Sequence, residues 1–288
     1  MNYSLNIKGH LFSLNQPCVM GILNITPDSF FAASRQQTEM GIAERVRQIV
    51  VEGGTIIDVG ACSTRPGATV ASQEEEMNRL RMALPIIRQE LDQLPCQAGT
   101  PLLALSVDTF RPDVARMAVE EFGADIINDV SEGSDAMFRM TSRLGTPYIL
   151  MSVQPDLRST LLTFARKVQQ LRDLGQKDII LDPGFGFGKA TVGQPADCSK
   201  NFALLNELEK LSVLNLPLLV GVSRKSLIYK TLNCTPEQSL NGTTVLNTIA
   251  LMKGASILRV HDVKAASECC QLFSHLSLPD CPCSSNLE

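Results

Sequence analysis

Seven apolar segments of this chain end in polar residues that can donate or accept protons and hydrogen bonds. These residues are Asn24, Asp58, Asp108, Asn128, Asp182, Lys225 and Arg259. Two carboxylates and an amide, at Asp108, Asp182 and Asn128, suit the edge of a flat, nitrogen-rich heterocycle, because a carboxylate accepts well from two parallel N–H donors. A packed core has no use for so many polar strand ends, whereas parallel strands that converge on one mouth do. The pattern predicts one shared binding site.

A second group of residues suits an anion. Arg259 and His261 stand two residues apart at a predicted strand end, so their side chains share one face. In barrels of eight parallel strands, phosphate sites are frequently built after the seventh and eighth strands, and this pair falls there. Asp262 either orients His261 or caps the last helix. Lys225 is either a surface charge or a partner of Asp182 and a donor to a ring acceptor.

The glycine-rich segment 182–189 does not match a nucleotide-binding loop. Three residues separate Gly184 from Gly188, and Ala190 stands where such a loop requires Ser or Thr. The segment instead predicts a strand end that presents Asp182 and then turns. Asp182, Asp108 and Asn128 are each also compatible with a plain turn or helix cap, and the case for a site rests on their joint occurrence.

Short apolar runs alternate with longer amphipathic segments and place these polar residues. The runs are 19–25, 55–60, 102–108, 125–130, 147–152, 179–182, 218–222 and 257–260. Continuous apolar strands are typical of parallel sheets buried on both faces. Their number predicts a (β/α)8 TIM barrel, with a doubly wound open sheet as the alternative. Ser72 with Glu75 predicts one helix start, and Pro112 predicts another.

The two ends of the chain carry patterns of their own. Tyr3, Leu5 and Ile7 alternate before Gly9, and further apolar residues follow, which predicts a short N-terminal hairpin that closes the bottom of the barrel. We expect a single domain over residues 1–277. Proline, serine and asparagine cluster beyond it, so residues 278–288 are predicted to form a flexible tail.

Bulk composition excludes several classes of protein. The 288 residues are 44% hydrophobic with a net charge of −4, so no general field attracts nucleic acid or an anionic membrane. The nine cysteines are scattered without zinc-like spacing, and reduced thiols are expected. No signal-peptide pattern opens the sequence, which predicts a cytoplasmic protein that does not bind membranes.

The chain resembles the dihydropteroate synthase family over nearly its whole length. The motifs that carry the resemblance occur in order at residues 20–30, 63–67, 106–109, 126–130, 181–189, 221–226 and 259–263. The resemblance implies a (β/α)8 barrel that joins 6-hydroxymethyl-7,8-dihydropterin diphosphate to para-aminobenzoate in folate biosynthesis, by a dissociative substitution. It also implies a homodimer and inhibition by sulfonamides, which mimic para-aminobenzoate.

The resemblance further implies a role for individual residues. Catalysis would fall to Asp108, Lys225, Arg259 and His261, and pterin binding to Asp108, Asn128, Asp182 and Lys225. The diphosphate would meet Asn24, Arg259 and His261, with Asn24 binding Mg²⁺ as the metal cofactor. Para-aminobenzoate would lie against Phe30, Thr64, Arg65, Pro66, Lys225 and Ser226.

The chain departs from the family pattern at three places. It has Gly60-Ala61-Cys62 where many relatives have Gly-Gly-Glu, residues 31–34 in place of Ser-Asp-Gly-Gly, and Met151-Ser-Val153 in place of Met-His-Met. These differences bear on loop closure, drug response and contacts to the pterin. Two other functions remain: a pterin-binding methyltransferase, which needs no diphosphate clamp such as Arg259 and His261, and a non-catalytic pterin-binding paralogue.

Overall fold

A computed structural model describes residues 3–26, 35–62, 70–94, 102–187 and 198–277. Helices follow strands along most of the described chain. The strands are β1 (Ser4–Ile7), β2 (His10–Ser13), β3 (Cys18–Asn24), β4 (Ile56–Gly60), β5 (Ala104–Asp108), β6 (Ile126–Asp129), β7 (Tyr148–Met151), β8 (Ile179–Asp182), β9 (Leu219–Val220) and β10 (Ile257–Val260). The helices are α1 (Arg35–Val51), α2 (Gln73–Gln93), α3 (Pro112–Glu120), α4 (Asp135–Leu144), α5 (Leu157–Asp173), α6 (Ser199–Asn206), α7 (Ser226–Tyr229), α8 (Leu240–Met252) and α9 (Val263–Ser277), with 3₁₀ turns at Leu208–Leu214 and Glu237–Ser239.

Strands β3 to β10 form one parallel sheet that closes on itself. The hydrogen-bonded order is β8, β7, β6, β5, β4, β3, β10, β9. A parallel bridge between Leu181 and Leu218 joins β8 to β9, where the Leu181 amide donates to the Pro217 carbonyl at 2.9 Å. The predicted (β/α)8 TIM barrel is therefore confirmed. The doubly wound sheet is wrong, because an open sheet has no such closing pair.

Alternation along the strands divides their side chains between two cores. Ile57 and Val59 of β4 join the large apolar cluster under the helices, whereas Ile56 points into the barrel. Successive strand residues face opposite sides of a sheet, so each strand contributes to both clusters. The lowest layer inside the barrel takes one apolar residue per strand: Met20, Ile56, Ala104, Ile126, Ile149, Ile180, Leu219 and Ile257.

The N-terminal hairpin closes this lowest layer from below, as predicted. Lys8 and Gly9 make a two-residue turn with φ angles of 50° and 87°, which suits a turn that needs positive φ at both positions. Lys8 Nζ reaches Asp125 at 2.5 Å and so fixes the turn against the barrel. The hairpin side chains that join the lowest layer are Leu5, Ile7, Phe12 and Leu14.

The predicted helix starts are also confirmed. Ser72 caps α2, its hydroxyl accepts from the Glu75 amide, and the Glu75 side chain accepts from the Ser72 amide. Pro112 occupies the first turn of α3. Among the described helices, none has the length and apolar content to cross a membrane. The predicted tail 278–288 lies outside the described residues.

Candidate active site

A polar layer lies directly above the apolar layer of the barrel. Counting two residues onward from each apolar layer residue returns to the inward face. The residues at these positions are Ile22, Asp58, Ser106, Asn128, Met151, Asp182, Gly221 and Arg259. The strands are short, so this layer is close to their carboxyl ends, where barrels of this fold hold their active sites. Along each strand, the inward face thus changes from the apolar lowest layer to the layer of the site within two residues.

Asp58 is the hydrogen-bonding centre of this layer. Its side chain is 0% exposed, and one oxygen, Oδ2, accepts from Arg259 Nε at 2.7 Å and from Asn128 Nδ2 at 3.0 Å. The other oxygen, Oδ1, accepts from the Ser106 hydroxyl at 2.6 Å. A buried carboxylate is costly unless a cation and hydrogen bonds compensate it, and here both do.

Arg259 connects Asp58 to Asp108. Its Nη2 donates to Asp108 Oδ2 at 2.9 Å, so the guanidinium spans the two carboxylates. Burial raises the pKa of Asp108 to about 7, helped by the negative charges of Asp58 and Asp129 and opposed by Arg259. Burial acts to lower the pKa of Arg259, but the two carboxylates outweigh it and hold that pKa above its ordinary value.

Asp182 and Lys225 form the opposite side of the site. Asp182 accepts from the Gly184 amide at 2.8 Å, so the strand end turns at once, as predicted. Lys225 Nζ donates to the Phe185 carbonyl and lies 4.3 Å from the centre of the Phe187 ring. Burial lowers the pKa of Lys225 to about 8, and the charge of Asp182 opposes that shift.

The Asp182 pKa is raised, again chiefly by burial, while the charge of Lys225 and the Gly184 hydrogen bond act against the shift. The two groups therefore sense each other's charge across the mouth. The Lys225 ammonium is not a plain surface charge, because it donates to the Phe185 carbonyl and would lie 3.9 Å from a Cβ on inward-facing Gly221. The expected direct pair with Asp182 does not form among the described ion pairs, and the donation to a ring acceptor stays a prediction.

Asn24, Ser226 and His261 lie at the rim. A Cβ on Gly60 would be 3.4 Å from Asn24 Oδ1 and 3.9 Å from Asp108 Oδ2, so the two side chains border the same glycine. Ser226 begins α7, immediately after Lys225. The backbone of His261 is fixed at both ends, since its amide donates to Ser223 Oγ at 3.2 Å and its carbonyl accepts from Arg45 at 2.7 Å.

Several predicted positions cannot be placed. Phe30, Thr64, Arg65 and Pro66 lie outside the described residues, as do the departing residues 31–34. Of the departing residues that are described, Ala61 and Ser152 are buried, each at 0% exposure, whereas Cys62 and Val153 are half-buried. In the described part of the chain, no group of three His, Cys, Asp or Glu residues is placed to hold a metal ion.

The sequence marks Asp58 as a polar strand end without indicating its central role in the hydrogen bonding of the site. Its position was readable, because Asp58 stands in β4 at the same parity as inward-facing Ile56 and Gly60. The Asp262 side chain also differs from expectation. Its carboxylate pairs with both Arg224 Nε at 2.8 Å and Arg224 Nη2 at 2.7 Å.

Comparisons with known proteins agree with this geometry. Residues 20–261 match the family model described as pterin binding enzyme. The chain is 36% identical to a dihydropteroate synthase of Escherichia coli (strain K12), covering 91% of this chain and 92% of the relative. The dihydropteroate synthase of Xanthomonas albilineans, solved with 4-aminobenzoic acid, superposes with a TM-score of 0.83 at 32% identity and covers 97% of this chain and 100% of its own.

A further solved relative is the dihydropteroate synthase of Yersinia pestis in a sulfonamide drug complex, with a TM-score of 0.80 and 33% identity, covering 95% of this chain and 99% of its own. The match therefore extends over the full barrel in sequence and in structure, and includes the strand ends that carry the polar layer. On these grounds the chain belongs to the dihydropteroate synthase family of pterin-binding enzymes.

Proposed function

We propose that this barrel is a transferase that condenses 6-hydroxymethyl-7,8-dihydropterin diphosphate with para-aminobenzoate, giving 7,8-dihydropteroate and diphosphate for folate biosynthesis. The observation that carries the proposal is the polar layer around Asn128. The buried Oδ1 of Asn128 has no hydrogen-bond partner among the described residues. A buried acceptor without a partner is costly, and a ring N–H of a bound heterocycle would satisfy it.

The pterin would lie flat across this layer. Asp182 would accept from paired N–H groups on one edge of the ring, and Lys225 would donate to a ring acceptor. Asn128 and Asp108 would meet the remaining polar atoms. The ammonium of Lys225 is already held by the Phe185 carbonyl and the Phe187 ring, so little ordering remains when the ring binds.

The chemistry needs stabilisation of a leaving group more than a strong base. The electron-rich pterin supports a cation at its exocyclic methylene once the C–O bond to diphosphate breaks. Arg259 and His261 would neutralise the charge that develops on the departing diphosphate. Asp108 would offset the positive charge on the ring, and the aniline nitrogen of para-aminobenzoate would then attack the methylene carbon and lose a proton.

Mg²⁺ fits the residues at the rim. It prefers oxygen ligands, keeps several waters and is usually held by one or two protein oxygens together with substrate phosphates. Asn24 offers an amide oxygen at the end of β3, close to the Gly60 and Asp108 side of the mouth. Asn24 would hold the ion, which would supply charge neutralisation to the diphosphate when bound.

Para-aminobenzoate would lie above the pterin, against Lys225 and Ser226, with Phe30, Thr64, Arg65 and Pro66 from the two loops outside the described residues. Those loops would exclude water, which otherwise competes with the amine for the cation. Sulfonamides would bind at the same position as inhibitors.

The proposal also includes a homodimer, a single domain over residues 1–277 and a cytoplasmic location. The cytoplasmic location agrees with the described cysteines, which are all free thiols.

The test is product formation from the two substrates, with and without Mg²⁺. Dihydropteroate should appear with wild type and depend on Mg²⁺, and Arg259→Ala and Asp182→Asn should each reduce kcat/KM by about a hundredfold or more, the scale of lost charged contacts. Asp178→Asn is the matched control, because Asp178 directly precedes β8 at the opposite end from Asp182 and contacts the Asn6 amide. Folded wild-type protein that gives no product would overturn the proposal.

A further inference from the structure

One oxygen atom joins the two halves of the proposed site. Asp58 Oδ2 accepts from Asn128 Nδ2 at 3.0 Å and from Arg259 Nε at 2.7 Å. Asn128 faces the pterin half of the site, and Arg259 faces the diphosphate half. Asp58 itself is 0% exposed, and the three donors that surround it leave it no access to a substrate. Its influence must therefore act through the residues it holds, of which Asn128 and Arg259 face the two proposed ligands.

The contact to Asn128 decides which end of the amide the ligand meets. A carboxylate accepts hydrogen bonds and has none to give, so the NH₂ end of Asn128 must face Asp58. The carbonyl oxygen Oδ1 is then turned into the site, where it has no partner among the described residues. The site consequently presents an acceptor at this position and rejects a ring that presents another acceptor there.

The contact to Arg259 leaves part of the guanidinium available. Nε is committed to Asp58, while Nη2 reaches Asp108 at 2.9 Å. Asp108 is nearer the open mouth, with 14% of its side chain exposed against 0% for Asp58. A diphosphate can therefore take donors from the Asp108 side while Asp58 keeps the guanidinium in place. A planar guanidinium permits this division because its donors point in fixed, separate directions.

We propose that Asp58 is a positioning and specificity-determining residue, which fixes Asn128 as a hydrogen-bond acceptor for the pterin and anchors Arg259 for the diphosphate at the same time. This inference rests on the proposed function for the identity of the two ligands. It assigns Asp58 no contact with either of them. Loss of Asp58 should therefore weaken two chemically unrelated ligands at once, which loss of Asn128 alone should not.

The first test uses Asp58→Asn, which keeps the shape, removes the negative charge and leaves one acceptor oxygen for three donors. The probes are 6-hydroxymethylpterin by calorimetric titration and inorganic diphosphate as a product inhibitor. We expect pterin affinity to fall by about tenfold or more and diphosphate inhibition to weaken several-fold, consistent with loss of charged hydrogen bonds. The KM for para-aminobenzoate should stay within about twofold, since no contact to its subsite changes.

Asp125→Asn is the matched control for a purely structural effect. Asp125 is also a buried carboxylate, and it pairs with Arg88 at 3.1 Å, but it lies before β6 at the closed end of the barrel. The Asp125→Asn substitution should lower the melting temperature, and the variant should bind both probes as tightly as wild type does. A folded Asp58→Asn variant that binds both probes like wild type would overturn the inference, while wild-type product formation in the same assay tests the proposed function separately.

A second variant serves if Asp58→Asn does not fold. Asn128→Asp sets two carboxyl groups about as close as the present 3.0 Å contact, so they cannot both be ionised at little cost. When protonated, the introduced carboxyl donates to Asp58 and still turns an oxygen to the pterin. Pterin affinity relative to wild type should therefore recover at low pH and fall as pH rises.

Asp108, Asp182 and Arg259 face this position from neighbouring strands and Lys225 from the loop after β9, so their titration is followed in wild type and in Asn128→Leu, which both keep these groups. Asn128→Leu has no such donor and should stay weak at every pH. If the pterin affinity of Asn128→Asp relative to that of wild type does not change with pH, the assigned orientation of the amide is overturned.

Discussion

Arg224 and Asp262 form a two-point ion pair that joins the loop after β9 to the loop after β10. The Arg224 Nε and Nη2 atoms donate to separate oxygens of Asp262, at 2.8 Å and 2.7 Å. Arg224 directly precedes Lys225, and Asp262 directly follows His261. The pair thus fixes the spacing between Lys225, assigned to the pterin ring and para-aminobenzoate, and His261, assigned to the diphosphate. Arg224 also adopts a φ of 53°, a strained value for a residue with a side chain, which the pair helps to hold.

Arg224→Lys should loosen this spacing while keeping the charge. Lysine presents one ammonium and cannot reproduce a bidentate contact. Because both partners are partly exposed, we expect a stability loss of only about 1 kcal/mol. The KM values for both substrates should rise several-fold. Arg143→Lys is the control, because Arg143 forms an exposed ion pair with Glu120, and it should leave both KM values unchanged. Unchanged KM values for Arg224→Lys would show that the ion pair does not set the site geometry.

The buried titrating groups predict a narrow pH optimum. Burial raises the pKa of Asp108 to about 7 and lowers that of Lys225 to about 8. If ionised Asp108 and charged Lys225 are both required, kcat/KM should rise through the first value and fall through the second. Profiles of wild type and Asp108→Asn should differ in the acidic limb, which the variant should lose. An identical acidic limb in both proteins would assign that limb to another group.

The same shift has a consequence for stability, with a definite sign. Between the ordinary pKa of 3.8 and about 7, folded Asp108 holds a proton that the unfolded chain has released. The free energy of unfolding should therefore decrease as pH rises through this window, by at most about 1.4 kcal/mol per pH unit from this group. Urea titrations of wild type and Asp108→Asn at several pH values measure it. If the difference in the free energy of unfolding between wild type and Asp108→Asn does not vary with pH, the predicted contribution of Asp108 is contradicted.

Gly186 gives a test of how Lys225 is held. A Cβ at Gly186 would lie 2.5 Å from Lys225 Cδ, so Gly186→Ala must displace the lysine stem. Gly175 is a matched control, because it also has a positive φ but nothing within 4 Å of its Cβ position. Both changes should cost about 1–2 kcal/mol of stability from backbone strain. Only Gly186→Ala should also weaken pterin binding, as measured by titration; equal binding in the two variants would exclude contact with the lysine as the cause.

The fold could be predicted from the sequence because its cause is local. Runs such as Tyr148–Met151 are apolar on both faces, which is typical of a parallel strand that is buried on both sides. Polar residues at the ends of such runs then had to meet at one mouth. The pairing among them could not be predicted, since Asp58 and Arg259 are 201 residues apart and meet only when the stagger of the closed barrel sets both at one level. The separate Arg224–Asp262 pair depends likewise on loop conformation.

The hairpin at the barrel bottom should contribute to stability and leave catalysis unchanged. Leu5 is 2% exposed and packs in the lowest apolar layer, so Leu5→Ala should reduce the free energy of unfolding by about 2–5 kcal/mol. Leu11, in the neighbouring strand of the same hairpin, is 77% exposed, and Leu11→Ala should change it by less than about 0.5 kcal/mol. Urea denaturation measures both values.

Turnover per folded molecule should stay at the wild-type level in both variants, because the hairpin lies at the end of the barrel opposite to the strand ends that carry Asp108 and Asp182. A fall in kcat for Leu5→Ala at a temperature where the protein is fully folded would show that packing of the floor is transmitted to the polar layer. In that case the apolar floor, directly beneath Asp58 and its partners, would have to be counted among the elements that position the site.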